Sequence, residues 1–307
     1  MKTPVAFVVY NRPWSTQKVF DVIKRSKPKT LYLISDGPKN ESENLKCDET
    51  RKIVERDIDW ECNLIKVYSD ENLGCARRIQ TGLDFVFKRE EMAIILEDDT
   101  LPDPSFFNFC EELLIRFKDD PKVAQISGCN LFPEIFTSNK SYEFSSITNI
   151  WGWATWRANW QMFDLSMKGW NDENKAEFLK KWYVWQPNQK NIRKMFDLHC
   201  ENNDPWTWDY QWNYCCWKND GLSIIPNVNL VSNIGIGPGA THTVSEDSVP
   251  FFPEKIDSIE SPLRHPEKVE RNISFEKNYR KLEQKPKLRL LKNYLKAIFT
   301  FLGNISK

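Results

Sequence analysis

The feature that most constrains the fold is a set of uninterrupted apolar runs that alternate with amphipathic stretches over the first 130 residues. Residues 5–10 and 92–96 are apolar runs of strand length, which is typical of strands buried on both faces of a parallel sheet. Between such runs, residues 14–25 place Val19, Phe20 and Ile23 on one face of a helix. The alternation predicts an α/β fold with a mostly parallel central sheet and flanking helices. The other predicted elements are strands at 31–35, 64–67 and 123–127 and helices at 48–57, 74–87 and 104–117.

Polar side chains follow three of the predicted strands at the points where they end. Asn11 and Arg12 follow the first strand, Asp36 follows the second, and three consecutive carboxylates follow residues 92–96. Ligands in open α/β sheets bind beyond the carboxyl ends of the strands, so we expect these side chains to share a site. The three carboxylates are Glu97, Asp98 and Asp99, and carboxylate oxygens are ligands that Mg²⁺ and Mn²⁺ prefer. A solvated acidic turn is the alternative interpretation of this triplet.

Charge and cysteine content narrow the class of protein. The 307 residues carry 43 Lys+Arg and 43 Asp+Glu, which excludes a nucleic-acid binder that depends on a global basic field. Eight cysteines occur without any CxxC spacing, and we expect reduced thiols. No signal peptide is recognised at the N-terminus and no apolar run is long enough to span a membrane. These observations predict a cytoplasmic protein.

The chain from about residue 130 onward is rich in tryptophan, and we expect it to be rich in loops. Eleven of the 13 Trp residues lie between positions 151 and 217, where core packing accounts for most of them. Trp153 and Trp208 are the candidates for contact with a sugar acceptor. We interpret residues 131–243 as a second half that packs on the same sheet as residues 1–130.

The remainder of the chain differs in composition. Residues 244–280 are polar and contain proline, which predicts a strap along the surface. Residues 281–307 carry seven Lys/Arg against one acid, with apolar residues at helical spacing. Such a basic amphipathic helix suits peripheral binding to an anionic membrane, and equally the docking of a terminal helix on the domain.

The segment at residues 94–107 resembles a known family. Its sequence, Ile-Ile-Leu-Glu-Asp-Asp-Thr-Leu-Pro-Asp-Pro-Ser-Phe-Phe, is similar to the metal-binding segment of GT-A-fold glycosyltransferases, in particular N-acetylglucosaminyltransferase I and its bacterial relatives. The similarity extends over most of residues 4–243. It includes Asn11 and Arg12, Asp36 with Gly37, and the helix that Asp209 opens.

The resemblance implies a GT-A (Rossmann-like) fold and a metal-dependent glycosyltransferase. Such an enzyme moves a sugar from a nucleotide-diphosphate donor to a hydroxyl of a glycan or lipid-linked oligosaccharide, with inversion, as in polysaccharide biosynthesis at the inner membrane face. By the same resemblance, residues 1–130 are the nucleotide-sugar half and residues 131–243 the acceptor half. Asp99 is implied to bind Mn²⁺ or Mg²⁺, and Asp209 to be the general base. The residues implied to bind the nucleotide sugar are Asn11, Arg12, Asp36, Glu97 and Asp98.

Three further residues have open assignments. Arg77 near the start of the helix at 74–87 is a candidate phosphate contact, and Arg78 beside it is a weaker one. His242 is a candidate metal ligand because many GT-A enzymes complete the metal site with a late histidine. A loop histidine bonded to backbone is the alternative for His242.

Two other functions stay open. A nucleotidyltransferase that makes nucleotide sugars also places acids at strand ends, but it needs a Gly-rich basic loop after the first strand. Residues 10–14, Tyr-Asn-Arg-Pro-Trp, do not match such a loop. A carbohydrate-binding protein without turnover would keep the tryptophans and would not need both the acidic triplet and Asp209.

Overall fold

A computed structural model describes residues 1–201, 205–235 and 256–283. The strands are β1 (Val5–Val9), β2 (Thr30–Ser35), β3 (Asn63–Tyr68), β4 (Met92–Glu97), β5 (Thr100–Pro102), β6 (Val123–Ser127), β7 (Tyr142–Ser145), β8 (Trp153–Trp156), β9 (Leu222–Pro226) and β10 (Val231–Asn233). The helices are α1 (Pro13–Ser26), α2 (Glu41–Asp57), α3 (Gly74–Phe87), α4 (Ser105–Arg116), α5 (Arg157–Trp160), α6 (Lys175–Trp182), α7 (Gln189–Glu201), α8 (Asp209–Lys218) and α9 (Ile273–Leu282).

Eight strands form one central sheet in the order β3-β2-β1-β4-β8-β6-β9-β7. The four strands from β3 to β4 are mutually parallel, and β6 is parallel to β9. β8 runs antiparallel to both β4 and β6, and β7 runs antiparallel to β9. This arrangement confirms the predicted α/β class with a mostly parallel central sheet and flanking helices.

The two faces of the sheet are buried under different helices. Along β1, Phe7 packs in the cluster that includes residues of α1 and α4, whereas Ala6 and Val8 pack in the cluster with α3. Successive side chains of a strand point to opposite faces, so a strand covered on both faces must be apolar at every position. The run of apolar residues in β1 is therefore uninterrupted because helices cover both faces of this strand.

Two predictions about secondary structure need correction. The segment around residues 151–156 was expected to be loop, and its second part instead forms β8 in the middle of the sheet. Trp153 and Trp156 lie on opposite faces of β8, one in each core cluster, so both indoles are buried. α2 begins at Glu41 rather than near residue 48, because the Asn40 side chain accepts a hydrogen bond from the amide of Ser42 and caps the helix.

The described part of the predicted strap, from residue 256 onward, runs along the domain and then forms a helix. The Ile259 amide donates to Ser105 Oγ at the start of α4, and the Arg264 amide donates to Ser141 Oγ beside β7. The chain then forms α9, which the strap interpretation of residues 244–280 did not include. Residues 236–255 and 284–307 lie outside the described residues, and with them His242 and the basic amphipathic tail beyond α9.

Candidate functional site

A cleft of about 140 Å³ lies at the carboxyl ends of β1, β2 and β4, beside the start of α3. This is the edge at which ligands bind in open α/β sheets. The residues that line it are Val8, Val9, Tyr10, Arg12, Asp36, Lys39, Asn72, Gly74, Cys75, Arg78, Ile79, Glu97, Asp98 and Asp99. The topology therefore brings together five of the predicted site residues, namely Arg12, Asp36, Glu97, Asp98 and Asp99.

One end of the cleft holds the acidic triplet and its counter-charge. Arg12 Nη1 donates to Asp98 Oδ1 at 3.1 Å and to Asp99 Oδ2 at 2.6 Å. The amide of Tyr10 donates to the second oxygen of Asp98 at 3.0 Å. A single guanidinium thus bridges two carboxylates that would otherwise repel each other.

Burial changes the protonation of this end. It raises the pKa of Glu97 to about 8, and the nearby Asp99 and Asp98 charges add to the rise while Arg12 opposes it. Burial likewise raises the pKa of Asp98 to about 6, against the attraction of Arg12. Burial and the neighbouring carboxylates thus favour the protonated form of Glu97 more than in a solvated glutamate.

The chain that follows β10 lies directly against Asp99. The Ile234 amide donates to the Asp99 carbonyl at 2.7 Å, and β10 pairs antiparallel with β5, which follows the triplet. A Cβ atom at Gly235 would stand only 2.3 Å from Asp99 Oδ2. The absence of a side chain at Gly235 thus permits a close approach of this backbone to the carboxylate.

Asp36 is held by backbone amides at the edge of the cleft. Its Oδ1 accepts hydrogen bonds from the amides of Gly37 and Leu73, and its Oδ2 accepts one from Gly74, each at 3.0 Å. Burial raises the pKa of Asp36 and these three amides oppose the rise. The carboxylate thus joins the end of β2 to the start of α3, which gives Asp36 a positioning role, and its contact with a nucleotide stays a prediction.

The two arginines of α3 differ in burial and in position relative to the cleft. Arg77 is exposed and does not line the cleft. Arg78 is only 5% exposed and lines it, and Arg78 Nη2 donates to the Val67 carbonyl at 2.6 Å. A signal for this was present in the sequence, because Gly74, Arg78 and Gly82 recur at intervals of four and so share one helix face.

Asp209 lies at the first position of α8 and is half-buried. Thr207 Oγ1 donates a hydrogen bond to Asp209 Oδ1. The charge of Asp209 contributes to the raised pKa of Glu97 and of Cys75, so it acts on the acidic end of the cleft. Asp209 does not line the cleft itself, and neither does Asn11.

Trp153 and Trp208 cannot present their rings to an acceptor as predicted. They are 1% and 2% exposed, and their ring centroids lie 5.4 Å apart in a stacked pair. Trp160 and Trp212 complete the same buried cluster. The spacing of these residues in the sequence did not reveal that one comes from a central strand and the other from the start of α8. Trp206, by contrast, is 45% exposed and lies three residues before Asp209.

The donor chemistry of the acidic end suits a hard divalent cation. Within the described ranges no three His, Cys, Asp or Glu side chains converge as a closed metal site. Mg²⁺ is commonly held by one or two carboxylates together with substrate phosphates, so Asp99 with a diphosphate would fit that coordination. His242 lies outside the described residues and its role as a ligand stays a prediction.

None of the helices in the described ranges is both long and apolar enough to cross a bilayer.

Comparison with known proteins gives only remote structural similarity. No protein-family model matches the chain, and no curated protein matches it. UDP-glucose pyrophosphorylase complexed with UDP-glucose is 9% identical, with a TM-score of 0.31 over 53% of this chain and 79% of the other. The 4-diphosphocytidyl-2C-methyl-D-erythritol synthase of Anaerococcus prevotii is 11% identical, with a TM-score of 0.32 over 52% and 74%.

A glycosyltransferase is among the similar structures as well. GlyE of Streptococcus pneumoniae is 12% identical, with a TM-score of 0.33 over 73% of this chain and 45% of GlyE. These identities and TM-scores are too low for the similarity to indicate a function for this chain.

Proposed function

We propose that this protein is a metal-dependent glycosyltransferase of the GT-A type that uses a nucleotide-diphosphate sugar. The observation that carries the proposal is the cleft, which is lined both by apolar side chains, Val8, Val9 and Ile79, and by Arg12, Asp98 and Asp99. Apolar side chains suit a planar base, and a guanidinium beside carboxylates suits a diphosphate with its cation.

The acidic end would receive the diphosphate. Asp99, with the diphosphate oxygens, would hold Mn²⁺ or Mg²⁺, which when bound neutralises charge on the departing nucleoside diphosphate. Arg12 lies within hydrogen-bond distance of Asp98 and Asp99 and adds a fixed positive charge at the same end. Glu97 lines the same end and can form a hydrogen bond with a sugar or ribose hydroxyl.

Asp209 is the proposed general base. Its carboxylate takes the proton of the acceptor hydroxyl while that oxygen bonds to the anomeric carbon, and the bond from that carbon to the diphosphate oxygen breaks. Attack from the side opposite the leaving group inverts the anomeric configuration. The exposed ring of Trp206 near Asp209 offers the flat apolar surface that a sugar acceptor needs, in place of the buried Trp153 and Trp208.

The acceptor and the cellular location remain part of the proposal. A glycan or lipid-linked oligosaccharide acceptor, as in polysaccharide biosynthesis, follows from the family resemblance. A cytoplasmic enzyme held peripherally at the inner membrane face would use the basic tail at residues 281–307. Co-sedimentation of the full chain with anionic and neutral vesicles tests that tail, and equal recovery with both would contradict it.

The test begins with calorimetric titration of UDP, GDP, dTDP and CMP, each with and without Mn²⁺. We expect one nucleoside diphosphate to bind, and we expect EDTA and Asp99→Asn to abolish this binding. Asp209→Asn should keep donor binding and lose about a hundredfold or more in turnover, because it removes the base alone. Asp119→Asn, at a side chain that is 88% exposed, is the matched control.

The other outcomes separate the alternatives. Release of pyrophosphate from a nucleoside triphosphate and a sugar 1-phosphate would assign the protein to the nucleotidyltransferases. Glycan binding that persists in Asp99→Asn, without any nucleotide binding, would indicate a carbohydrate-binding protein without turnover.

A further inference from the structure

An open groove of about 760 Å³ lies between α1 and α2. This volume is within the range of about 300–1,000 Å³ that small-molecule sites occupy. The residues that line the groove are Pro13, Trp14, Gln17, Lys18, Leu45, Asp48, Glu49, Lys52, Ile53 and Arg56. None of them lines the cleft at the strand ends, so the groove is a separate surface of the described chain.

The groove contains an exposed tryptophan. Trp14 lies in the first turn of α1 and is 62% exposed. Lys18, one turn further along α1, places its Nζ 4.0 Å from the centre of the indole ring. This ammonium covers one face of the ring and favours a fixed orientation of the indole. Because most of the side chain is nevertheless exposed, Trp14 offers a flat apolar surface to a ligand.

α2 lines the groove with one of its faces. Leu45, Asp48, Glu49, Lys52 and Arg56 recur at intervals of three and four, so they form a continuous row along this helix. All five side chains are exposed. Carboxylates accept hydrogen bonds and an ammonium group donates them, so the row can bind both the hydrogen and the oxygen of ligand hydroxyls.

The charges of the groove nearly cancel. Arg56 is paired with Asp57 at 2.7 Å, and the other charged lining residues are two lysines and two carboxylates. A polyanion such as a nucleic acid or an anionic membrane gains little from a surface without net charge. A protein partner also fits poorly, because five of the ten lining side chains are charged and the cores of protein interfaces are depleted of charge. An aromatic ring beside groups of both signs instead suits an uncharged ligand rich in hydroxyls.

The groove and the cleft begin at the same edge of the sheet. α1 starts at Pro13, directly after Arg12 of the cleft, and α2 starts two residues after Lys39, which also lines the cleft. Since both helices start at this edge, their first turns lie beside the cleft and the groove extends away from it. A chain-like ligand in the groove would therefore remain next to the cleft.

We propose that this groove is a second carbohydrate site, which binds an uncharged glycan outside the cleft. The indole of Trp14 stacks on the apolar face of a pyranose ring, while Asp48, Glu49 and Lys52 form hydrogen bonds with hydroxyls of the glycan. A glycan held here has a raised effective concentration at the cleft. Its binding does not depend on the proposed transfer reaction, because none of these residues lines the cleft.

The test measures the binding of uncharged hexasaccharides to the full chain by calorimetry, without nucleotide or metal. The probes are cellohexaose, chitohexaose, maltohexaose and α-1,6-linked mannohexaose. We expect at least one of them to bind, and we expect Trp14→Ala to weaken that binding at least about tenfold, the scale of losing a central aromatic contact. Trp14→Phe keeps an aromatic face and should weaken it less than Trp14→Ala does.

Matched controls separate the groove from the rest of the molecule. Ile115→Ala truncates an apolar side chain of similar exposure, 58%, on α4 and should leave glycan affinity unchanged. Nucleotide affinity in the presence of Mn²⁺ should be the same in Trp14→Ala as in wild type, because Trp14 does not line the cleft. Melting temperatures of the variants show whether each of them folds.

The inference and the proposed function fail in different ways. If none of the hexasaccharides binds, the groove is not a glycan site, even where nucleotide binding supports the proposed function. Binding that is lost in Trp206→Ala and retained in Trp14→Ala would assign the glycan to the acceptor side of the cleft and overturn the inference. Dimerisation that Trp14→Ala abolishes, without glycan binding, would make the groove a contact between two copies of this chain. Trp14-dependent glycan binding by a protein that binds no nucleotide would support the inference while the proposed function fails.

Discussion

At the scale of single residues, burial determines which groups of this protein carry charge. His199 in α7 is fully buried, and its ring stacks on Tyr210 with centroids 5.0 Å apart and lies tilted against Trp206 with centroids 4.5 Å apart. Its Nε2 has no hydrogen-bond partner within the described chain. Burial lowers the pKa of His199, against a weaker opposite effect of Asp209. The folded state therefore favours a neutral imidazole at this position.

This predicts a pH dependence of stability. The folded state binds the His199 proton less tightly than the unfolded state, so its contribution is present above the unfolded pKa of about 6.5 and is lost as pH falls through it. Unfolding of wild-type protein and His199→Phe by urea should be compared between pH 7 and 5. We expect wild type to lose stability more steeply than the variant as pH falls below about 6.5, by at most about 1.4 kcal/mol per pH unit, the limit for one proton.

A control and a contradicting result follow for this prediction. His265→Gln, at a side chain that is 23% exposed, should leave most of the dependence in place. Parallel curves for wild type and His199→Phe would show that the histidine titrates alike in both states.

At the scale of elements, Asp36 connects the end of β2 to the start of α3. Its carboxylate accepts hydrogen bonds from the amides of Leu73 and Gly74, which lie more than 35 positions away in the chain. Gly37 allows the two loops to meet, because a Cβ there would stand 2.6 Å from the backbone of Glu71. The position of Arg78 in the cleft depends on this connection, because Gly74 and Arg78 both belong to α3.

Removing the carboxylate should destabilise the protein and weaken donor binding together. We expect Asp36→Ala to lower the free energy of unfolding by about 2–4 kcal/mol, because buried amides lose their acceptor. Urea denaturation and calorimetry on the same sample measure the two effects. Asp21→Asn on α1 alters an exposed carboxylate that accepts one hydrogen bond from Gln17. It should change neither the free energy of unfolding nor the free energy of donor binding by more than about 0.5 kcal/mol. Unchanged stability in Asp36→Ala would contradict the positioning role.

At the scale of the whole molecule, the chain from residue 256 to α9 packs against β7, the edge strand of the sheet opposite β3. Arg271 and Glu276 form an ion pair at 2.7 Å with side chains 16% and 1% exposed. Arg271 also donates to the carbonyls of Lys181 and Trp182, and Glu276 Oε1 accepts from Ser145 Oγ. This network joins α9 to β7 and to α6 and lies outside the cleft.

Breaking this pair should lower stability without changing donor recognition. Arg271→Ala leaves the Glu276 carboxylate buried and uncompensated, and we expect a loss of about 3–5 kcal/mol in the free energy of unfolding. The exposed pair of Arg264 and Glu260 is the control, and Arg264→Ala should cost at most about 1 kcal/mol. Nucleotide affinity of the folded Arg271→Ala protein should equal that of wild type. Similar losses for the two variants would contradict the buried network as a main contact of this segment.

Much of the sheet and part of the site were predictable from sequence because they depend on local pattern. Strands buried on both faces must be apolar at every position, and the structure has strands β1, β4 and β6 at the predicted places. The carboxyl ends of parallel strands meet at one edge, so Arg12 and Asp99 were expected to be neighbours and are hydrogen-bonded.

The remaining features depend on partners that are distant in the chain, and only the tertiary structure decided them. Trp153 is buried because β8 inserts between β4 and β6, a placement that its local sequence does not encode. Asp36 is occupied because α3 brings the amides of Leu73 and Gly74 to it. Arg78 rather than Arg77 faces the cleft because the rotation of α3 against the sheet sets which side chain is buried. Sequence specifies which groups a strand end or helix face presents, and packing specifies which of them remain available to a ligand.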